Sequence, residues 1–151
     1  MTITLNIITD NDLPAINARY AEIGFVPSHA GELIVVATLA GDTAGQGRVV
    51  PIDATSGELG GIYVLPHYQG RGVAKRVVEF LIGHTDLPVL YCLPFAELEG
   101  FYRSMAFLPV MQQDGVPQQV LKKHQWCNAT YDRPVLLLER SAFRTEQENN
   151  Q

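Results

Sequence analysis

The sequence predicts an α+β domain: a mixed, mostly antiparallel sheet of about six to seven strands flanked by helices. Three observations lead there. Short runs at 3–7, 33–39, 46–52, 62–65, 89–93, 107–111 and 135–139 are alternating or continuously apolar at strand length. Apolar residues recur at helical spacing in 13–23, 73–83, 95–105 and 117–127. The turns joining the second, third and fourth runs are short, as antiparallel neighbours need, while a helix separates the fourth run from the fifth, which lets those two run parallel.

Each element has a local reason. Ile3, Leu5 and Ile7 alternate with polar residues, so the first strand buries one face. Thr9, Asp10 and Asp12 supply helix-start chemistry, Pro14 suits an early helical position, and the stripe Leu13, Ile16, Tyr20, Ile23 ends at Gly24. The loop 25–31 follows. Residues 33–39 read as a strand buried on both faces. The strand 46–52 has Pro51 near its end, and 53–57 is a turn. Pro66 stops the next strand; Val73, Val77, Phe80 and Leu81 then share one helical face, with Gly83 as the stop. Asp86-Leu87-Pro88 breaks the chain before 89–93, where Cys92 reads as a buried thiol. Pro94 opens a short helix whose face is Phe95, Leu98, Tyr102 and Met105. Pro117 starts a later helix that ends near Asn128.

Size and charge narrow the functions. A chain of 151 residues with 46% hydrophobic and 18% charged residues suits one domain, placed at 1–143, with a polar tail over 144–151. A net charge of −5 and a pI near 5.3 argue against non-specific nucleic-acid binding. No signal peptide or membrane span is read, and with two cysteines far apart a reducing, cytoplasmic setting is expected. His124 and Cys127 lack a further ligand pair, so no metal site is expected. No G-K-[ST] follows the glycines at 70 and 72, which disfavours a nucleotide-phosphate enzyme.

The turn Gln69-Gly70-Arg71-Gly72-Val73-Ala74 lies between strand and helix. Glycines there open the backbone to a ligand, and the first N–H groups of the helix lack intrahelical partners. Such a turn can cradle phosphate oxygens, with Arg71 adding charge; it can equally be a turn that merely needs glycines. The segment V-L-P-H-Y-Q-G-R-G-V-A, with Gln69, Gly72 and Ala74 in the signature places, resembles motif A of the GCN5-related N-acetyltransferases (GNAT). The later F-Y-R-S-M-A-F, residues 101–107, resembles a second GNAT motif, with Ala106 where a glycine is usual. A left-handed alanine costs about 1 kcal/mol, so that cap is expected to be built differently. The asparagine that often opens this helix in the family is replaced by an apolar residue near Phe95, so no polar cofactor contact is carried over there.

The resemblance implies the GNAT fold, with two parallel central strands splayed apart, and acetyl-CoA as co-substrate. It implies direct acyl transfer to an amine, which the acidic charge also suits; a small-molecule acceptor is expected, although charge does not separate amino acids, polyamines, aminoglycosides or a protein terminus. It allows a homodimer, which no sequence feature decides. It places the cofactor on Ile62, Tyr63 and Val64 and on Gln69, Gly70, Arg71, Gly72, Val73 and Ala74, with the Val64 N–H as oxyanion donor. Tyr102 aligns with a general acid, or is a core residue. Glu58 stands where some members recruit a base, or is a surface carboxylate. Ser28 and His29 are acceptor contacts or plain loop residues. His124, Trp126, Cys127, Asn128 and Tyr131 are a pocket wall, or Trp126 and Tyr131 pack the 112–134 insertion onto the sheet. A non-catalytic acyl-CoA-binding or sensing module on the same fold is the alternative function.

Overall fold

The computed structural model describes residues 2–142, so the tail expected over 144–151 lies outside the described residues. Seven strands form one mixed sheet in the order β1-β2-β3-β4-β5-β7-β6. They are β1 Ile3–Ile7, β2 Leu33–Leu39, β3 Asp42–Pro51, β4 Ser56–Val64, β5 Val89–Cys92, β6 Leu108–Pro109 and β7 Leu138–Ser141. The helices are α1 Leu13–Glu22, α2 Val73–His84, α3 Glu99–Arg103 and α4 Gln118–Thr130. β1–β2, β2–β3, β5–β7 and β6–β7 pair antiparallel, and β4–β5 pair parallel, the mixed α+β sheet that the sequence predicts.

The chain groups into two units. The first holds residues up to Val50 together with Leu59–Thr85. Its organising strand is β3, whose alternation gives it two unlike faces. On the α2 face stand Gly45 and Gly47. A Cβ at Gly45 would lie 2.9 Å from the Tyr63 carbonyl oxygen and 3.0 Å from Val73 Cγ1, and one at Gly47 would lie 2.7 Å from both Ile62 Cδ1 and Val77 Cγ1. The bare strand lets α2 seat deeply, and Val73, Val77, Val78 and Leu81 are buried. On the α1 face stand Gln46 and Arg48, both buried. Gln46 Nε2 donates to the Ile16 carbonyl at 3.2 Å, and the Arg48 guanidinium stacks on Tyr20. Ile16, Tyr20 and Ile34 form the core there.

The second unit holds Pro51–Glu58 together with the residues from Asp86 onward. Asp53 builds its first turn: Oδ1 accepts the Ser56 N–H and the Ser56 hydroxyl, both at 2.8 Å. The Thr55 N–H and the Ser56 hydroxyl hold this carboxyl below its ordinary range. Parallel pairing then runs Ser56 to Val89, Gly57 to Leu90 and Glu58 to Tyr91, and reaches no residue of β4 beyond Glu58. Tyr91, Val116 and Val120 form a core cluster, and Phe107 and Leu138 are fully buried.

Several expectations are corrected. Gly83 does not stop α2, which continues to His84; His84 Nδ1 lies 2.8 Å from the Phe80 carbonyl and its ring stacks on Phe80. β3 starts at Asp42, and β4 starts at Ser56, inside the expected turn. The helix after Pro94 divides into a 3₁₀ turn, Ala96–Leu98, and α3, which leaves Leu98 exposed rather than on the buried stripe. α4 runs past Cys127 to Thr130, so Asn128 lies within it. The strand expected over 107–111 shrinks to Leu108–Pro109, and the last strand slides to Leu138–Ser141, with Val135 left in an isolated bridge to Phe95.

The cap after α3 is also corrected. Ala106 does adopt the left-handed conformation, at φ +69°. The Phe107 N–H reaches the Tyr102 carbonyl at 3.1 Å and the Ala106 N–H reaches Arg103 at 3.0 Å, a Schellman closure normally given to glycine. The Phe107 ring meets Tyr102 edge-on, centroids 5.7 Å apart, supplying the apolar contact that accompanies this motif.

Candidate functional site

In the first unit, β4 leads into the glycine turn. Leu65 donates its N–H to the Ala44 carbonyl at 2.9 Å, Pro66–Tyr68 make one 3₁₀ turn, and Gln69 Nε2 donates to the Val64 carbonyl at 3.3 Å. Gly70 and Gly72 both sit in the left-handed region, φ +79° and +80°, and a Cβ at either would meet nothing within 4 Å. Backbone conformation, not crowding, requires glycine here, and the surface over the turn is open. Gly72 caps α2 without a side chain to offer, and the first intrahelical bond runs from Arg76 N–H to the Gly72 carbonyl at 3.2 Å. The N–H groups of Val73, Ala74 and Lys75 therefore have no partner in the helix, at its positive end. Arg71 adds a cation, with Cζ 5.8 Å from the Tyr68 ring centre. An open turn that ends in unpartnered helix N–H groups is able to take an anion such as a diphosphate.

Gly61, next to Ile62, has φ +59°. Its carbonyl accepts the Tyr20 hydroxyl at 2.8 Å. A Cβ there would lie 2.6 Å from that hydroxyl and 2.8 Å from Arg48 Nε. Burial pushes the Tyr20 phenol up to about 12, opposed by the nearby Arg48 charge. Ser28, named from the sequence, is buried: its hydroxyl accepts from Arg48 Nη1 at 2.7 Å, and its backbone is clasped by Asn17 on both sides, at 2.7 and 3.0 Å. His29 is exposed, and its N–H donates to Glu32 Oε2 at 3.0 Å.

In the second unit, Tyr102 is buried on α3, edge-on to Phe101 at 5.0 Å as well as to Phe107. Burial first, and the neighbouring Cys92 second, push its phenol well above the ordinary value, so it holds its proton. Burial likewise raises the Cys92 thiol, with Glu58 adding to the effect. Glu58 is not an exposed carboxylate: its side chain is 13% exposed and takes an ion pair from Lys123 of α4 at 2.6 Å. His124 Nε2 lies 2.8 Å from the Val135 carbonyl, and Asn128 Oδ1 accepts the Val135 N–H at 2.9 Å. His124 also borders a cavity of about 290 Å³ lined by Glu99, Val110, Gln113, Asn128 and Leu137. Trp126 and Tyr131 are 56% and 45% exposed and meet edge-on, with Phe95 beyond Tyr131, so neither is packed away in the core.

Sequence reasoning singled out neither Arg48 nor Lys123, and read Tyr20 only as part of the apolar stripe of α1. Arg48 left one usable signal, a charge inside the run G-Q-G-R-V-V that otherwise reads as strand. Lys123 left none, since only the fold brings 58 and 123 together. Among the described residues no group of three or more His, Cys, Asp and Glu could hold a metal ion, and no helix is long and apolar enough to cross a membrane.

The acetyltransferase (GNAT) domain family model matches residues 30–109. The chain belongs to that family of acetyltransferases. Solved structures share its fold at low identity. The N-acetylglutamate synthase of Neisseria gonorrhoeae, complexed with coenzyme A and N-acetyl-glutamate, is 16% identical with a TM-score of 0.67; the alignment covers 94% of this chain and 35% of that one. This chain thus spans about a third of that synthase. The ribosomal-protein-S18-alanine N-acetyltransferase of Escherichia coli is 18% identical, TM-score 0.67, covering 93% of this chain and 94% of that one. YncA of Salmonella typhimurium, solved with acetyl-CoA, is 15% identical, TM-score 0.64, covering 94% and 95%. No curated protein matches the sequence.

Proposed function

We propose that this protein transfers the acetyl group of acetyl-CoA directly to the nitrogen of a small-molecule amine. The observation that carries the reading is the open two-glycine turn running into the uncapped start of α2. There the backbone of Gln69, Gly70, Arg71, Gly72, Val73 and Ala74, with the Arg71 charge, holds the diphosphate. The backbone of Ile62, Tyr63 and Val64 binds the pantetheine arm, and the Val64 N–H stabilises negative charge at the acyl oxygen. Acetyl-CoA, when bound, supplies the activated thioester. Tyr102 gives a proton to the departing sulfur; a buried phenol that keeps its proton suits that task. Glu58 takes the proton of the amine. Ser28, His29, His124, Trp126 and Tyr131 are the acceptor-side candidates, Ser28 acting through Arg48. One neighbour is named for N-acetylglutamate and another for a ribosomal-protein alanine, so the fold alone does not choose the acceptor.

One observation favours a second reading, a non-catalytic acyl-CoA-binding module: Lys123 already occupies the Glu58 carboxylate. Two measurements separate the readings. Acetyl-CoA is expected to raise the melting temperature, and a thiol-release screen over amines is expected to find turnover. Stabilisation without thiol release supports the binding module. Neither effect rejects both.

A further inference from the structure

We infer that the acceptor amine also carries a carboxylate, and that Arg48 is the residue that holds it; the inference rests on the acetyl-transfer reading above. Arg48 is only 6% exposed. A guanidinium so buried is costly unless an opposite charge compensates it. Among the described residues it has no ion pair; the four that occur lie elsewhere. Its hydrogen bonds go to two neutral oxygens from one nitrogen: Nη1 donates to the Val26 carbonyl at 2.9 Å and to Ser28 Oγ at 2.7 Å. Glu32, whose charge is felt at Tyr20, makes no salt bridge with it among the described residues. That carboxylate spends Oε2 on the His29 N–H, and its Oε1 is buried without a donor.

The group is also oriented. The Tyr20 ring lies 4.4 Å from Cζ and covers one side of the guanidinium plane. With the plane held there and at Nη1, the side-on edge, Nε with Nη2, is left without a hydrogen bond among the described residues. That edge is the fork that grips a carboxylate through two parallel bonds. It lies against β4 at Gly61, where a Cβ would come within 2.8 Å of Nε, one residue before the segment assigned to the acyl donor. A purely structural latch for the loop does not need a charge, and Asn17 already clasps Ser28 from both directions.

The test uses the full-length protein, L-amino acids and their carboxamides. Thiol release with acetyl-CoA gives kcat/KM for each acid and its amide, and calorimetry without acetyl-CoA gives their binding. The acid is expected to exceed its amide by on the order of 10²-fold, chiefly through KM, because the amide lacks the charge and the second acceptor oxygen that the fork grips. Arg48→Lys keeps the charge but loses the fork, and is expected to shrink the acid-to-amide ratio roughly 10-fold or more. If the Arg48 variant does not fold, Ser28→Ala is read instead, with a smaller loss of the ratio, and the wild-type comparison needs no variant. Equal use of acids and amides, or an Arg48→Lys loss that is the same for both, overturns the assignment. Acid-selective binding that Arg48→Lys abolishes, with no thiol release for any compound, keeps the carboxylate site and rejects the transfer reading.

Discussion

Single residues decide whether the assigned chemistry runs. Tyr102→Phe removes one oxygen and keeps the ring that packs on Phe107. Turnover is expected to fall on the order of 10²-fold with acetyl-CoA affinity unchanged, measured by thiol release and calorimetry; wild-type turnover takes Tyr102 out of the mechanism. Because burial raises its pKa above the ordinary phenol value, the proton stays on as pH rises. No descending limb from this group is therefore expected between pH 7 and about 10, the ordinary phenol value, in the kcat profile. Ala106 offers a test of stability alone. Its φ of +69° is strained for any side chain. Ala106→Gly is expected to stabilise the fold by up to about 1 kcal/mol, the relief of strain being partly offset by glycine's freer unfolded chain. A drop in the denaturant midpoint would contradict that account of the cap.

At the scale of elements, two devices matter. α2 sits close to β3 because Gly45 and Gly47 have no side chains, and Gly47→Ala brings a Cβ to 2.7 Å from Ile62 and Val77. Overpacking of this kind is expected to cost about 1–3 kcal/mol, read from chemical denaturation. α4 reaches β4 through Lys123 and Glu58. If Glu58 is the base, Glu58→Gln is expected to lower kcat on the order of 10²-fold in the thiol-release assay; unchanged turnover assigns the base elsewhere. Most elements were legible in the sequence because they follow from local patterns: Pro14 at the first turn of α1, the change of period at Val73, and the alternation of β1 as far as Leu5, Ile7 being 50% exposed rather than on a buried face. Boundaries failed where tertiary pairing decides them. Val135 reads as strand, yet Asn128 of α4 takes its N–H and strand pairing with β5 starts only at Leu138. The glycine turn was legible because its conformation is carried by contiguous backbone. Arg48 was not, because its partners Tyr20, Val26 and Ser28 lie more than nineteen positions away in the chain.

For the whole molecule, buried acids that stay neutral set a ceiling on alkaline tolerance. Tyr20 is held up to about 12, and burial also raises Tyr102 and Cys92. Below the unfolded values both states keep these protons and stability does not depend on them. Above those values the unfolded chain ionises first and binds fewer protons, so stability falls with rising pH until the folded groups ionise as well. For Tyr20 the window runs from about 10 to about 12. Urea midpoints at pH 8 and pH 11 check this, and Tyr20→Phe is expected to flatten the difference; equal midpoints would remove burial of these phenols as the cause.

The unlike sides of β3 have one more consequence. Sliding that strand by a single position would exchange its small row for its polar row. Gln46 and Arg48 would be driven under α2, where there is no room, and Gly45 and Gly47 would leave Tyr20 without its cationic lid. Misalignment is thus punished twice, by collision on one side and by vacancy on the other.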